Sequence, residues 1–352
     1  MDEKSQKLSV VEKVGYSLGD LAANLIFQTL MAFLAFFYTD IYRIPPGSAS
    51  MVMLVGGVVG ACFNVAMGAI ADRTQTRWGK FRPWVLWTAV PFGVMSLLAF
   101  STPDFSVGGK IAYAFVTYFL LVIVYSAGNL PYSALSGVMT GDMKQRNSLA
   151  TYRFVAVMVA QFIIQVLLLP LALAAGHGDK ARGFEHVMLV FAITGVICLV
   201  ITFLTTRERV HPPKAQKTPV RQDLADLVKN RPWLVMLSLN ILVSITLSLK
   251  GGMNIFYFRY YLTEGSEAAF LDRMGFARLL KRLAIPGSAS YAAASFSSGF
   301  SILAMILGIF FSKPLADRFG KRNVFGLFLA LSALCLLGCH TPAFHQGHAA
   351  QL

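Results

Sequence analysis

Asp20, Asn24 and Gln28 recur at every fourth position of a long apolar stretch, and Tyr125, Asn129 and Tyr132 share one helical face of another. That spacing stacks side chains on one side of an α-helix. Arg153, Gln161 and Gln165 form a third stripe, and Lys250, Asn254, Tyr257 and Tyr261 a fourth. Amide, guanidinium and phenol groups exchange hydrogen bonds with hydroxyls, while aromatic faces cover apolar ring surfaces. Four such stripes therefore suit a polyhydroxylated ligand such as a sugar. Two other uses stay open: the amides can join helix to helix, and Asp20 can cap the start of its helix. No nucleophile stands with a base, and no His and carboxylate cluster falls on facing stretches, so an enzyme is not expected. No cofactor is expected. His345 and His348 lack a third spaced ligand, so no metal site is expected either.

Such stripes need membrane-crossing helices to carry them. Of 352 residues, 56% are hydrophobic and 14% charged, whereas a soluble domain carries about a quarter charged residues. Mean hydropathy is +0.60. Apolar runs of about 20 residues, enough to cross roughly 30 Å of hydrocarbon, predict nine helices: 17–39, 47–71, 83–101, 110–138, 149–174, 185–205, 233–262, 289–312 and 323–340. The fold class is all-α, a polytopic membrane protein. The opening MDEKSQKLSVVEK is polar and shows no signal-peptide core. Cys62, Cys198, Cys335 and Cys339 lie within the apolar runs and read as small packing residues.

A formal charge of +14 would suit a nucleic-acid binder, but the 31 Lys and Arg are spread over short connections instead of one basic face. No nucleic-acid partner is expected; the partners are the lipid bilayer and a small molecule. The larger share of basic residues falls on the N-terminal side, which places the N-terminus and the 206–231 connection in the cytoplasm of a plasma-membrane protein. GAIADRTQTRWGKFRPW at 68–84 is echoed by KPLADRFGKRNVF at 313–325, six spans later. The repeat points to two six-helix halves. Asp72, Arg73, Arg77 and Lys80, with Asp317 and Arg318, are thus candidate gating loops. There an Asp can bind the Arg and the first free N–H groups of a helix, latching neighbours together. The plainer reading is a positively charged loop.

With these motifs the chain resembles the glycoside-pentoside-hexuronide:cation symporter family, the melibiose permease type of major facilitator. The resemblance is carried by GYSLGDLAANL at 15–25, FFYTD at 36–40, DRTQTRWGKFRPW at 72–84 and NLPYSAL at 129–135. It continues in MTGDMKQRNSLATYRF at 139–154, RERVHPP at 207–213, and KNRPW, LKGG and YFRYYL between 229 and 262. It implies sugar or glycoside uptake driven by Na+ or H+ through alternating access. It also implies substrate-binding roles for Asn24, Tyr125, Asn129 and Arg153. In the family the first and third of these are Asp, Arg153 matches an Arg that contacts the sugar, and Tyr125 matches an aromatic near it. Lys250 and Asn254 join this set through their stripe. The departures are as telling: where the family places sodium-binding carboxylates, this chain has Gly60, Asn64 and Asn129, and no carboxylate remains between Met51 and Ala71. Ala23 replaces a Lys and Ser133 a Trp, so melibiose is not the expected sugar. Asp20 and Asn64 become the coupling candidates, by a proton or by an amide and backbone sodium site, and lost coupling is a further alternative.

The resulting plan is a six-helix half at 1–205, a cytoplasmic linker at 206–231, a partial second half at 232–340 and an atypical tail at 341–352. An amphipathic segment at about 264–288 reads as surface packing or a lid. The superfamily pattern has twelve spans, so a truncated or frameshifted copy is expected. A transport-dead sugar sensor and a lysolipid carrier are the competing readings.

Overall fold

The structure, a computed structural model, describes residues 7–177, 179–210 and 229–260, with single residues scattered between 304 and 334. The chain divides into two compact units, Met1–Ser298 and Gly299–Leu352. Among the described residues, the regular elements of the first unit are all helices. They are α1 (Val10–Ile41), α2 (Pro46–Arg73), α3 (Arg82–Ala99), α4 (Val107–Met139), α5 (Met143–Ala175), α6 (Lys180–Thr205) and α7 (Arg231–Tyr260). These match the first seven predicted spans. The last two predicted spans lie mostly outside the described residues, and the 264–288 segment and the tail lie wholly outside them.

Every helix begins earlier than its apolar run, and in α1, α4, α5 and α6 polar residues assigned to connections form capped first turns. Ser9 accepts from Glu12 N at 3.2 Å while the Glu12 carboxylate accepts from Ser9 N at 2.9 Å, a reciprocal capping box. Asp142 opens α5 by accepting from Lys144 N, and Asp179 opens α6 by accepting from Ala181 N, each at 2.9 Å. Two helices contain π segments, Phe37–Ile41 in α1 and Ile163–Leu168 in α5. Gln165 falls inside the second, so it does not continue the α-helical register expected from Arg153.

Helix α1 is the hub, packed against α5 and α6 and touching α4 and α7, while α4 packs on α2 and α3, and α3 on α6. Five of the helices are long and apolar enough to cross a membrane; α3 is shorter, at 18 residues, which rise about 27 Å. In hydrocarbon no hydrophobic force draws helices together, so close packing and hydrogen bonds must do it. At Gly19 a Cβ would lie 2.4 Å from Tyr132 Cε2, so only glycine lets α4 approach α1 this closely. Thr202 Oγ1 of α6 donates to Gly15 O of α1 at 2.8 Å. Near the C-terminal end of α1, the fully buried Phe37 meets Phe100 at 5.0 Å and Phe184 at 5.9 Å, plugging the bundle. Met51, Leu54 and Val58 on α2, and Val190, Ile193 and Ile197 on α6, are exposed, the arrangement expected where lipid is the solvent.

Candidate functional site

The helix hub holds an ion pair. Asp20, eleven residues past the cap of α1, is buried, and both its carboxylate oxygens face Arg153 of α5: Nε–Oδ2 is 2.6 Å and Nη2–Oδ1 3.2 Å. This corrects the capping alternative for Asp20, since Ser9 caps the helix. The single hydroxyl proton of Tyr132 on α4 is shared between two acceptors, Asp20 Oδ2 at 2.8 Å and Tyr16 O at 2.7 Å, and the Tyr16 hydroxyl donates to Tyr132 O at 2.8 Å. The two phenol rings stack at 4.5 Å, and the Arg153 guanidinium lies 5.5 Å from each ring centroid. Three helices are thus tied at one point by a charge pair and the Tyr132 hydroxyl. Arg153 is the more accessible partner, with a side-chain exposure of 30% against 8% for Asp20.

From Asp20 the polar stripe climbs α1 as expected, but it bonds to itself. Asn24 Nδ2 donates to Asp20 O at 2.8 Å, and Gln28 Nε2 reaches Asn24 Oδ1 at 3.5 Å. On α4, Asn129 Nδ2 donates to the Tyr125 hydroxyl at 3.2 Å, and Phe27 of α1 stacks on Tyr125 at 5.1 Å. Tyr125, Asn129 and Tyr132 line a partly open pocket with Gly19 and Ala23 of α1 and Thr88 and Phe92 of α3; the empty space there, open solvent included, is about 310 Å³. Tyr132 joins this pocket to the ion pair. Asn64 is exposed on α2 and does not line it. The side chains of Lys250 and Asn254 on α7, like Asp317, lie outside the described residues. Arg318 is described, with its guanidinium 5.5 Å from the Phe319 ring.

At the N-terminal end of α1, the 72–82 loop departs from the expected latch, in which Asp72 would bind an Arg and the free N–H groups of the next helix. Asp72 pairs instead with Lys80 Nζ at 2.9 Å. The free N–H groups at the start of α3, however, go to Glu208 just past α6: Lys80 N donates at 2.9 Å, Phe81 N at 2.7 Å and Arg82 N at 2.9 Å. Arg82 Nη2 donates to Phe203 O at 2.7 Å. Next to Glu208, Arg209 pairs with Glu12, and the N–H groups of Arg209 and Val210 both donate to Val138 O of α4. The segment after α6 therefore fastens α1, α3 and α4. Arg73 is exposed, and Arg77 lies 5.1 Å from the Trp78 ring. Glu208, Glu12 and Tyr16 were not singled out by sequence reasoning. Tyr16 had a signal, one turn before Asp20 on the same face; Glu208 had a weaker one, a carboxylate between two arginines at the end of an apolar run.

Residues 15–349 match the family described as MFS/sugar transport protein. The chain is 42% identical over 269 residues to the inner membrane symporter YicJ of Escherichia coli K12, covering 76% of this chain and 58% of that protein. It is 37% identical to the putative glycoside/cation symporter YagG of the same organism, covering 78% and 62%. To the isoprimeverose transporter of Lactiplantibacillus pentosus it is 32% identical, covering 79% and 59%. The chain thus spans about 60% of the length of these curated relatives. Among solved structures, a peptide transporter POT aligns at a TM-score of 0.53 and 14% identity, over 92% of this chain and 73% of that one, a likeness of fold alone.

Proposed function

Because the chain belongs to the MFS/sugar transport protein family, a family of membrane transporters, we propose that it serves as a secondary active carrier of a sugar or glycoside, driven by Na+ or H+ through alternating access. The observation that carries this reading is the cluster on α1, α4 and α5. Asp20, Arg153, Tyr132 and Tyr16 form a charged and aromatic centre, flanked by Asn24, Gln28, Tyr125 and Asn129, all neutral donors and acceptors suited to sugar hydroxyls. Buried ionisable groups of this kind inside apolar helices mark substrate and ion pathways. The names of relatives support the same class: one is a putative glycoside/cation symporter and another an isoprimeverose transporter. In this reading 1–205 is one half of the carrier, 206–231 its linker and 232–340 part of the other half. The basic N-terminal side, with Lys80 and Arg209 in its latch, faces the cytoplasm.

Counterflow in proteoliposomes tests it. Vesicles holding the full chain, preloaded with an unlabelled glycoside and diluted into a trace of the same labelled glycoside, are expected to accumulate label transiently above equilibrium. The panel comprises xylosides, glucosides and galactosides, each with and without Na+ at several pH values. Binding of a sugar with no label exchange under any of these conditions would refute carriage and support a sensor.

A further inference from the structure

We propose that the start of α3 and the end of α6 together hold an anionic phospholipid, its phosphate against Arg77 and Arg207 and its acyl chains along the apolar flank of the two helices. The inference goes beyond the transporter reading and uses none of the residues assigned to the sugar. Trp78 and Phe203 meet edge to face at 5.8 Å across the end of the seam between α3 and α6. Arg77 lies over the Trp78 ring at 5.1 Å and Arg82 over the Phe203 ring at 4.8 Å. Arg82 donates to Trp78 O at 3.4 Å and to Phe203 O at 2.7 Å, and its charge interacts with those of Arg207 and Glu208. Arg77 and Arg207 are exposed and form no ion pair among the described residues. Three positive charges thus stand with one negative, and the Glu208 carboxylate is already taken by backbone N–H groups. The surplus positive charge and the free guanidinium N–H groups match a phosphate.

Next to this cluster the two helices offer a surface for the chains. At Gly93 a Cβ would lie 2.7 Å from Val196 Cγ2, so these two positions mark the seam. Trp87, Val90 and Val94 on α3 stand six and three residues before Gly93 and one after it, and all three are exposed. Val190, Ile193 and Ile197 on α6 stand at the same offsets from Val196 and are exposed too. At about 100° per residue, each row lies roughly a quarter turn from the seam. The helices run in opposite directions, so equal turns bring both rows to the same side, and they form one apolar strip. The opposite side of α6 is taken by α1, where Thr202 bonds to Gly15 O. A free phosphate makes no use of the strip, and a zwitterionic lipid brings its own cation to a cluster with positive charge to spare. An anionic phospholipid fits both ends, with Trp78 at the headgroup level.

Native mass spectrometry of the full chain, released from a neutral detergent, reads the affinity lipid by lipid. Dioleoylphosphatidylglycerol is set against dioleoylphosphatidylcholine, which has the same chains. The wild type is expected to bind the phosphatidylglycerol about tenfold or more tighter. Arg77→Gln and Arg207→Gln are each expected to weaken that binding about fivefold, and the double variant about thirtyfold. Lys7→Gln with Lys144→Gln removes as much exposed charge from the same end of the bundle and is expected to change it by less than about threefold. A large excess of inorganic phosphate is expected to leave the lipid bound. Equal affinity for the two lipids overturns the proposal, as does a double variant that binds like the wild type, or a lysine control that loses as much as the arginine pair. Displacement by phosphate overturns it in favour of a bare anion site. Where the double variant fails to fold, the two single variants carry the test. No arm contains a sugar, so the transporter reading stands or falls separately, by counterflow.

Discussion

Replacing Glu208 by Ala should loosen the start of α3 selectively. The carboxylate accepts three consecutive backbone N–H groups, from Lys80, Phe81 and Arg82, at 2.7 to 2.9 Å. Its negative charge also sits at the positive end of the α3 dipole, which adds about 0.5 kcal/mol. Hydrogen bonds to a charged group contribute about 1.5–3 kcal/mol each. In the variant, water takes over part of their role, because this loop is only half-buried, so a net loss of about 3 kcal/mol is expected instead of the full sum. That corresponds to about a hundredfold rise in the local opening equilibrium. Glu208→Gln keeps an acceptor oxygen without the charge and should lose about half as much, or roughly tenfold. Hydrogen exchange read by mass spectrometry on peptides covering 78–86, in detergent, measures the opening directly. Peptides from the middle of α6 should exchange at the wild-type rate. Protection at 78–86 within about threefold of wild type in the Ala variant would refute the capping role.

Two further outcomes follow from the same geometry. Gly79 has φ +118, and a Cβ there would lie 2.5 Å from Glu208 Oε1, so Gly79→Ala strains the backbone and displaces the carboxylate at once. It is expected to raise exchange at 78–86 much as Glu208→Ala does, and wild-type exchange would contradict this. Arg153→Ala is expected to abolish glycoside binding in calorimetry and to lower thermal stability. It leaves Asp20 buried and unpaired, at a cost of about 3–5 kcal/mol. The double variant Asp20→Asn, Arg153→Gln should regain most of that stability. Additive losses in thermal-shift measurements of the single and double variants would show that the two residues do not act as a pair.

The helices were legible because lipid forces long apolar runs with few interruptions, and the polar stripes because a costly side chain in such a run recurs at helical spacing. The first seven helices and the polar face of α1 follow from these two rules. Partnership across the bundle was less legible. Asp20 pairs with a residue 133 positions away, and Glu208 with N–H groups 126 to 128 positions away. No periodicity encodes such distances, and backbone N–H groups have no residue letter to betray them. Asp72 drew attention as the cap because it stands in the repeated loop, yet it spends its charge on Lys80. The helix starts were misplaced for a related reason: hydropathy counts Glu12, Lys144 and Arg182 against a span, whereas capping lets them form its first turn.

The π segment at Ile163–Leu168 has a bearing on how α5 can tolerate change in length. A π turn holds one more residue than the α-helix around it, and one residue turns an α-helix by about 100°. Up to Phe162, α5 presents Arg153 toward α1, and beyond Leu168 it presents a different set of positions, with Ala172 packed where Gly183 of α6 comes closest. The wide turn absorbs that offset without a break in the rod. Removing a single residue within 163–168 would restore plain α geometry and leave both ends of the helix facing their present neighbours. The same deletion between Arg153 and Phe162 would rotate the charged end away from Asp20. The segment is therefore the one place in α5 where sequence length and helix orientation are uncoupled.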